Sequence, residues 1–87
     1  MKLIIAILQD SDADNVTQAL TAADFRVTRI SSTGGFLRRG VVTLLIGLDD
    51  ARVDDAIQVM RNNTSHNNGE ESGGTVFVLP VENYTQV

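Results

Sequence analysis

The sequence has no cysteine and no tryptophan, and only one histidine, one proline and one tyrosine in 87 residues. Without cysteine, no disulfide can stabilise this short chain and no thiolate can bind a metal. His66 lies alone in a polar segment, which excludes a metal centre built from several imidazoles. No apolar run approaches the roughly 20 residues of a membrane helix, and the first residues are too short and wrongly flanked for a signal peptide. We therefore expect a cytoplasmic protein with no metal and no cofactor.

The size and charge of the chain narrow its class further. A mass of 9.4 kDa predicts a single domain over residues 1–87. A chain this short buries only about 60–65% of its unfolded surface, so its core alone is marginal. The formal net charge of −4 argues against general nucleic-acid binding, which a basic surface would favour.

Hydrophobic periodicity predicts four strands and two helices. Nearly continuous aliphatic runs at residues 2–8 and 41–48 indicate central strands with both faces buried. Residues 25–30 alternate in polarity, with Arg26 and Thr28 on one side, and residues 75–79 form a last strand before Pro80. Apolar residues at i, i+3, i+4 and i+7 predict helices over about 12–23 and 51–62. We expect Asp24 to end the first helix and Asp49 with Asp50 to cap the second.

The order of these elements predicts the fold class. Strand–helix–strand occurs twice, and βαββαβ is the ferredoxin-like arrangement, a four-stranded antiparallel sheet with both helices on one face. The second sheet face then has no covering layer, although alternate residues of the first strand would present apolar side chains there. A bare apolar face on a small domain predicts an oligomer, and subunit boundaries are natural places for ligand clefts.

Three alternate aspartates, Asp10, Asp12 and Asp14, resemble the beginning of a calcium-binding loop. The glycine and the distant glutamate of that motif are absent, so we do not predict a metal site. The position of the aspartates at the start of a helix instead favours N-capping and interaction with the helix dipole.

Residues 28–40 are the candidate ligand-binding stretch. They contain three of the seven glycines, and they lie within segment 25–48, which has no acidic residue. Gly34 and Gly35 can turn the backbone so that its N–H groups face an anion. Arg38 and the nearby Arg26 can bind phosphate oxygens, and Phe36 can stack on a planar group. The composition therefore predicts a small anionic ligand with a flat part, such as a nucleotide.

A purely structural interpretation of the same stretch stays open. A glycine pair between two strands commonly forms a hairpin turn. The arginines can serve only to balance the acidic helices, and Phe36 can pack on the core of its own subunit.

Several segments together resemble the PII-like cyclic di-AMP receptor family, trimeric ferredoxin-like signalling proteins of bacteria. The likeness is carried by residues 1–10, 25–28, 33–40 and 73–82, and it extends over nearly the whole chain except about 63–72. Its most specific parts are the Gly-Phe-Leu-Arg stretch at 35–38 and the Val-Leu-Pro-Val ending at 78–81.

The resemblance implies a second-messenger sensor without catalytic activity, which binds cyclic di-AMP between the subunits of a homotrimer and regulates an unknown partner protein. Arg26 and Thr28 would line the cleft, residues 35–37 would wrap the nucleotide, and Gly47 would let it approach a strand. The full set of ligand-side positions is Asp24, Arg26, Thr28, Gly34, Gly35, Phe36, Leu37, Arg38, Val41, Gly47 and Gln86.

Three features depart from the family pattern: two residues and the length of one loop. Val41 stands where the family has an asparagine that can read an adenine edge, and Asp24 stands where an asparagine is common. The loop between the second helix and the last strand is also shorter than the family's. One alternative is therefore a PII-like trimeric regulator that has lost cyclic di-AMP and acts through another nucleotide or a protein partner.

A second alternative is an enzyme, because acylphosphatases share the split βαβ fold and use an arginine with an asparagine. No positioned nucleophile, metal set or general base is evident in the sequence. Asp24 next to Arg26 indicates a satisfied ion pair rather than a catalytic dyad. We therefore do not predict an enzyme.

Overall fold

The computed structural model describes residues 1–30, 40–65 and 74–87, and its elements follow the predicted order. They are β1 (Lys2–Gln9), α1 (Asp10–Ala22), β2 (Arg26–Ile30), β3 (Val41–Leu48), a 3-10 turn (Asp50–Arg52), α2 (Val53–Asn62) and β4 (Gly74–Pro80). The strands pair in the order β2-β3-β1-β4, antiparallel throughout. This confirms the ferredoxin-like fold and the central position of β1 and β3. In the described part of the chain, no helix has the length and apolar character needed to cross a bilayer.

The hydrophobic core lies between the helices and one face of the sheet. Alternate residues of the two central strands are buried there: Ile4, Ala6, Leu8, Val42, Leu44, Ile46 and Leu48. Val16 and Leu20 of α1 and Ala56 and Met60 of α2 pack against them. The same alternation that separates the two faces of a strand thus selects which half of each aliphatic run forms the core.

The other sheet face, which we call the open face, carries no helix. Its side chains form three rows across β2, β3, β1 and β4: Arg26–Gly47–Leu3–Leu79, Thr28–Leu45–Ile5–Phe77 and Ile30–Thr43–Ile7–Thr75. The prediction that both faces of β1 are buried is wrong for the single chain, since Leu3, Ile5 and Ile7 are only half-buried. Their partial exposure follows from the missing second layer, which is needed to bury both faces of a sheet.

A Schellman motif with Asp24 as its turning residue terminates helix α1, two residues after Ala22. The N–H of Phe25 donates to the carbonyl of Leu20 at 3.0 Å, and the N–H of Asp24 donates to that of Thr21 at 3.0 Å. Asp24 adopts a φ of 67°, the left-handed conformation that this motif requires at its turning residue. Short polar residues tolerate this conformation better than other non-glycine residues. The predicted helix end is therefore confirmed, and Asp24 has a structural role in the fold.

The aspartates at the helix starts do not act as side-chain caps. Helix α1 is preceded by Gln9 and the 3-10 turn by Asp49, and neither makes a side-chain capping hydrogen bond. Asp10 and Asp14 instead contact Arg29 of β2, with N–O distances of 3.6 and 2.7 Å. The capping prediction is wrong for α1 because the helix begins at Asp10, which leaves Gln9 at the N-cap position. At the second helix, the carboxylate of Asp50 binds the α-ammonium of Met1 instead.

Asp12, the remaining aspartate of the three, is buried near the start of α1 and the end of α2. Its Oδ1 accepts a hydrogen bond from the hydroxyl of Ser65 at 2.9 Å, which ties the start of α1 to the residues that follow α2. Its position in the first turn of α1 is favourable for a carboxylate because the helix dipole is positive there.

Candidate functional site

A pocket of about 450 Å³ lies on the open face, at the end of the sheet where β1 begins. Its lining residues come from three strands and the C-terminal tail: Met1, Leu3, Arg26, Thr28, Leu45, Gly47, Val81, Tyr84 and Gln86. Four of them, Arg26, Thr28, Gly47 and Gln86, belong to the ligand-side positions implied by the sequence. The fold therefore brings together residues that are up to 60 positions apart in the chain.

Strand register explains why these residues meet. Arg26 lies opposite Gly47 in the β2–β3 pair, and Gly47 lies opposite Leu3 in the β3–β1 pair. Cross-strand partners point to the same face, so Gly47 leaves a depression between a cation on one side and an apolar side chain on the other. In the next row, the polar side chain of Thr28 lies opposite the apolar side chain of Leu45.

Arg26 is the cation of this pocket that stays available to a ligand. Within the described residues, its guanidinium has no ion pair and no hydrogen bond. The neighbouring arginines are engaged: Arg29 binds two aspartates of α1, and Arg52 lies 4.0 Å above the ring centre of Phe25. Arg52 also donates to the carbonyl of Ala23 at 2.9 Å. An anion entering this region therefore meets an unpaired guanidinium at Arg26.

The C-terminal tail forms one wall of the pocket. After β4, the N–H of Val81 donates to the carbonyl of Met1 at 3.1 Å, so the tail begins beside the first strand. Tyr84 and Gln86 then line the same pocket as Arg26 and Thr28. The family likeness pointed to Gln86 but did not indicate Tyr84. The signal for it was the two-residue spacing, which in an extended segment places both side chains on one side.

A smaller pocket of about 270 Å³ shares Met1, Arg26 and Gly47 with the first. Its remaining residues are Asp24, Phe25, Leu48, Asp49 and Arg52. Asp24 thus lines this second pocket and not the larger one. The expected Asp24–Arg26 ion pair does not form among the described residues, because Asp24 belongs to the helix terminus, while Arg26 points from the strand towards the open face.

The remaining predicted positions lie at the opposite end of the sheet or outside the described residues. Val41, half-buried at the start of β3, pairs with Gln9 and does not line either pocket. Gly40 accepts a hydrogen bond from the N–H of Asp10 at 2.8 Å, which attaches the end of the glycine stretch to the start of α1. The other candidates fall in the part of the chain that is not described: Gly34, Gly35, Phe36, Leu37 and Arg38.

Met1 covers the depression at Gly47. Its α-ammonium lies 3.0 Å from the carboxylate of Asp50, and the Nζ of Lys2 lies 3.9 Å from the same group. The hydrogen bond from the ammonium, together with the attraction of both cations, holds the pKa of Asp50 below its ordinary value. The carboxylate of Asp50 therefore stays ionised to a lower pH than an ordinary aspartate. The Met1 side chain approaches to 3.2 Å of the point that a Cβ on Gly47 would occupy.

Gly47→Ala is expected to weaken ligand binding roughly tenfold, because an added methyl group intrudes on the wall that the ligand must approach. The melting temperature should change little, since the flexible end of Met1 is the group within reach of the new Cβ. Titration calorimetry with cyclic di-AMP measures the affinity, and thermal unfolding of the same sample measures the melting temperature. Unchanged affinity would show that the ligand does not approach Gly47.

The fold and the pocket define a class of protein: a small ferredoxin-like domain whose open sheet face carries a pocket lined by Arg26, an arginine without a side-chain partner among the described residues. No group of three or more potential metal ligands gathers anywhere in the described ranges. Residues 1–70 match the family model of the cyclic-di-AMP receptor, and the chain belongs to that family. This confirms the family that the sequence resembles.

A solved structure supports the fold and the length of the chain. The crystal structure of a functionally unknown protein from Pediococcus pentosaceus is similar to this chain, with a TM-score of 0.82 and 32% sequence identity. The match covers 99% of this chain and 96% of that one. The two chains therefore match over almost their whole length.

Proposed function

We propose that the protein is a second-messenger sensor that binds cyclic di-AMP in clefts between the subunits of a homotrimer and thereby regulates a partner protein. Family membership supports the choice of ligand. The observation that carries the proposal is the pocket on the open face, in which the free guanidinium of Arg26 lies beside Thr28, Gly47 and Gln86. Its volume, about 450 Å³, lies in the ordinary range of small-molecule sites.

The chemistry of the lining residues matches the parts of a nucleotide. The guanidinium of Arg26 can bind phosphate oxygens with two parallel hydrogen bonds, and the Thr28 hydroxyl can donate a third. Leu3 and Leu45 offer an apolar surface to a base. The amide of Gln86 carries both a donor and an acceptor, which is the combination that recognises the N6 and N7 edge of adenine.

The positions of the two predicted parts of the site support an assembly of subunits. Arg26 and Gly47 lie in the same row as Leu3. At the other end of the sheet, Gly40 directly precedes Val41, the first residue of β3, which pairs with Gln9. From Leu3 to Gln9 the strand spans roughly 20 Å at about 3.3 Å per residue. A ligand in the pocket would meet both parts most readily if the glycine stretch came from a neighbouring subunit.

The apolar rows of the open face are the proposed contact surface of that assembly. Ile30, Phe77 and Leu79 are exposed in the single chain, and Ile5 and Ile7 are half-buried. Contiguous exposed apolar surface of this kind on a small domain marks an interaction site. Covering it would complete the second layer that the sheet lacks.

Isothermal titration calorimetry with cyclic di-AMP, cyclic di-GMP and ATP tests the ligand. We expect cyclic di-AMP to bind most tightly, with one molecule per subunit, because only this ligand combines two adenine edges with a doubly charged phosphate ring. Absence of heat with all three nucleotides, confirmed by a lack of thermal stabilisation, would contradict the proposal.

A second candidate is a trimeric regulator that no longer responds to cyclic di-AMP. The observation that favours it is the pair of carboxylates, Asp24 and Asp49, in the smaller pocket beside Arg26. Negative charges close to the phosphate position would oppose an anionic ligand. Preference for another nucleotide in the same titration series would support this candidate over the first.

A further inference from the structure

We infer that Tyr84 is a further ligand-binding residue, whose ring stacks on the base that enters the pocket, and that the tail 81–87 closes on the ligand with it. The inference rests on the proposed nucleotide function and deepens it by identifying an aromatic contact in the C-terminal tail. It assigns the tail a role in holding the base, distinct from the phosphate contacts of the strands.

The exposure of Tyr84 is the first observation. Its side chain lines the pocket, yet it is 58% exposed and its hydroxyl has no hydrogen bond among the described residues. Tyrosine usually finds both apolar cover and a polar partner when it serves the core. Tyr84 is mostly exposed and has no such polar partner, so its ring on the pocket wall is available to stack on a planar ligand.

The other aromatic residues do not supply this contact within the described chain. Phe25 is buried in the core beneath Arg52. Phe77 lies on the open face at the edge strand and does not line the pocket. Phe36 falls outside the described residues. Of the described rings, Tyr84 is therefore the one that a base in this pocket can reach.

The sheet and the tail offer two different surfaces to a flat ring. Leu3 and Leu45 form the apolar part of the sheet floor, and Tyr84 belongs to the tail, which is not a strand of that sheet. A base placed between them is covered by aliphatic groups on the sheet side and by the tyrosine ring on the tail side. Gln86, two residues after Tyr84, lines the same pocket and can contact the edge of the same base.

The attachment of the tail allows it to adjust to a ligand. Among the described residues, the bond from Val81 to Met1 is the one backbone–backbone hydrogen bond recorded between residues 81–87 and the body of the domain. The residues after it form no helix or strand. Few backbone bonds hold such a segment, so moving it onto a ligand disrupts little of the fold.

The amino-acid composition provides a direct test, because the protein has one tyrosine and no tryptophan. Its tyrosine fluorescence therefore reports on Tyr84 alone. We expect cyclic di-AMP to quench this emission, excited at the long-wavelength edge where adenine absorbs little, and to protect the ring from quenching by acrylamide. The dissociation constant fitted to the quenching curve should equal the one measured by calorimetry.

Substitutions separate the ring from the hydroxyl. Tyr84→Ala is expected to weaken cyclic di-AMP binding about ten- to hundredfold, the effect of removing one base–aromatic stack. Tyr84→Phe, which keeps the ring, should bind within about twofold of the unaltered protein. The melting temperature and oligomeric mass should be the same in both variants, because the side chain is mostly exposed.

The possible results decide between this inference and the function on which it rests. Binding by calorimetry with unchanged tyrosine emission, and with Tyr84→Ala as tight as the unaltered protein, would overturn the inference and leave the proposed function standing. Absence of nucleotide binding by the unaltered protein would overturn both. If Tyr84→Ala no longer assembles, its affinity cannot be compared, and the tyrosine emission of the unaltered protein is the test. Absence of quenching when cyclic di-AMP binds would then overturn the inference.

Discussion

Arg26→Gln is expected to weaken cyclic di-AMP binding roughly a hundredfold. Hydrogen bonds to a charged group contribute about 1.5–3 kcal/mol each, and glutamine keeps the polar end without the charge or the two-pronged geometry. The guanidinium has no partner within the described protein, so its removal leaves no buried group unpaired and the melting temperature should be nearly unchanged. Titration calorimetry and thermal unfolding measure the two effects.

Arg29→Gln is the matched control for this experiment. Arg29 lies on the same strand three residues further on, but its side chain is on the helix side, where it contacts Asp10 and Asp14. This variant should lose a small part of its stability, as exposed ion pairs contribute about 0–1 kcal/mol, and keep its affinity. Equal affinities for the two variants would show that the phosphate group does not bind at Arg26.

The second large effect is expected for Phe77→Asp, which should convert the proposed homotrimer into a monomer. Phe77 is 50% exposed in the middle row of the open face, where Ile5 is its cross-strand partner. A carboxylate in an apolar interface is left without a partner, and its desolvation costs several kcal/mol. Light scattering at micromolar concentration gives the mass, and cyclic di-AMP affinity should fall with it because the clefts between subunits are lost.

Val78→Asp serves as the control for the position of the interface. Val78 lies on the same edge strand with 39% exposure, but on the opposite face of the sheet, and its cross-strand partner is the core residue Ile4. We expect this variant to keep the trimer mass. A trimeric Phe77→Asp would place the interface away from the open face, and a monomeric unaltered protein would contradict the proposed assembly together with its intersubunit site.

Most of the fold could be predicted from local patterns. The aliphatic runs identified β1 and β3, and the i, i+3, i+4, i+7 stripes identified both helices, with ends that differ from the structure by one or two residues. These signals are strong because a residue's position along a strand or a helix determines which face it occupies. The capping role failed in α1 because the helix begins at Asp10, two residues earlier than predicted, so that Gln9 occupies the N-cap position. The contact of Asp14 with Arg29, 15 residues later in the chain, forms only on folding.

The candidate site was predictable only in part. Alternation along β2 separated Arg26 and Thr28 from the core, and the family likeness pointed to Gly47 and Gln86. Local pattern could not show that Leu3 and Leu45 form the floor, since this depends on register, nor that Tyr84 faces the pocket. The family likeness placed Val41 among the ligand-side positions, and in the single chain Val41 lies at the other end of the sheet from Arg26.

The sequence by itself determined the order of the elements, the face of each side chain along its strand and the acidic balance of the chain. These are properties of neighbouring residues and of composition. Tertiary structure alone decided that Arg26 lies opposite Gly47, that the tail returns to the beginning of β1, and that Arg26 has no partner among the described residues while Arg29 and Arg52 are engaged. Such relations join residues distant in the chain, and they arise when the register of the strands and the packing of the helices set the distances between them.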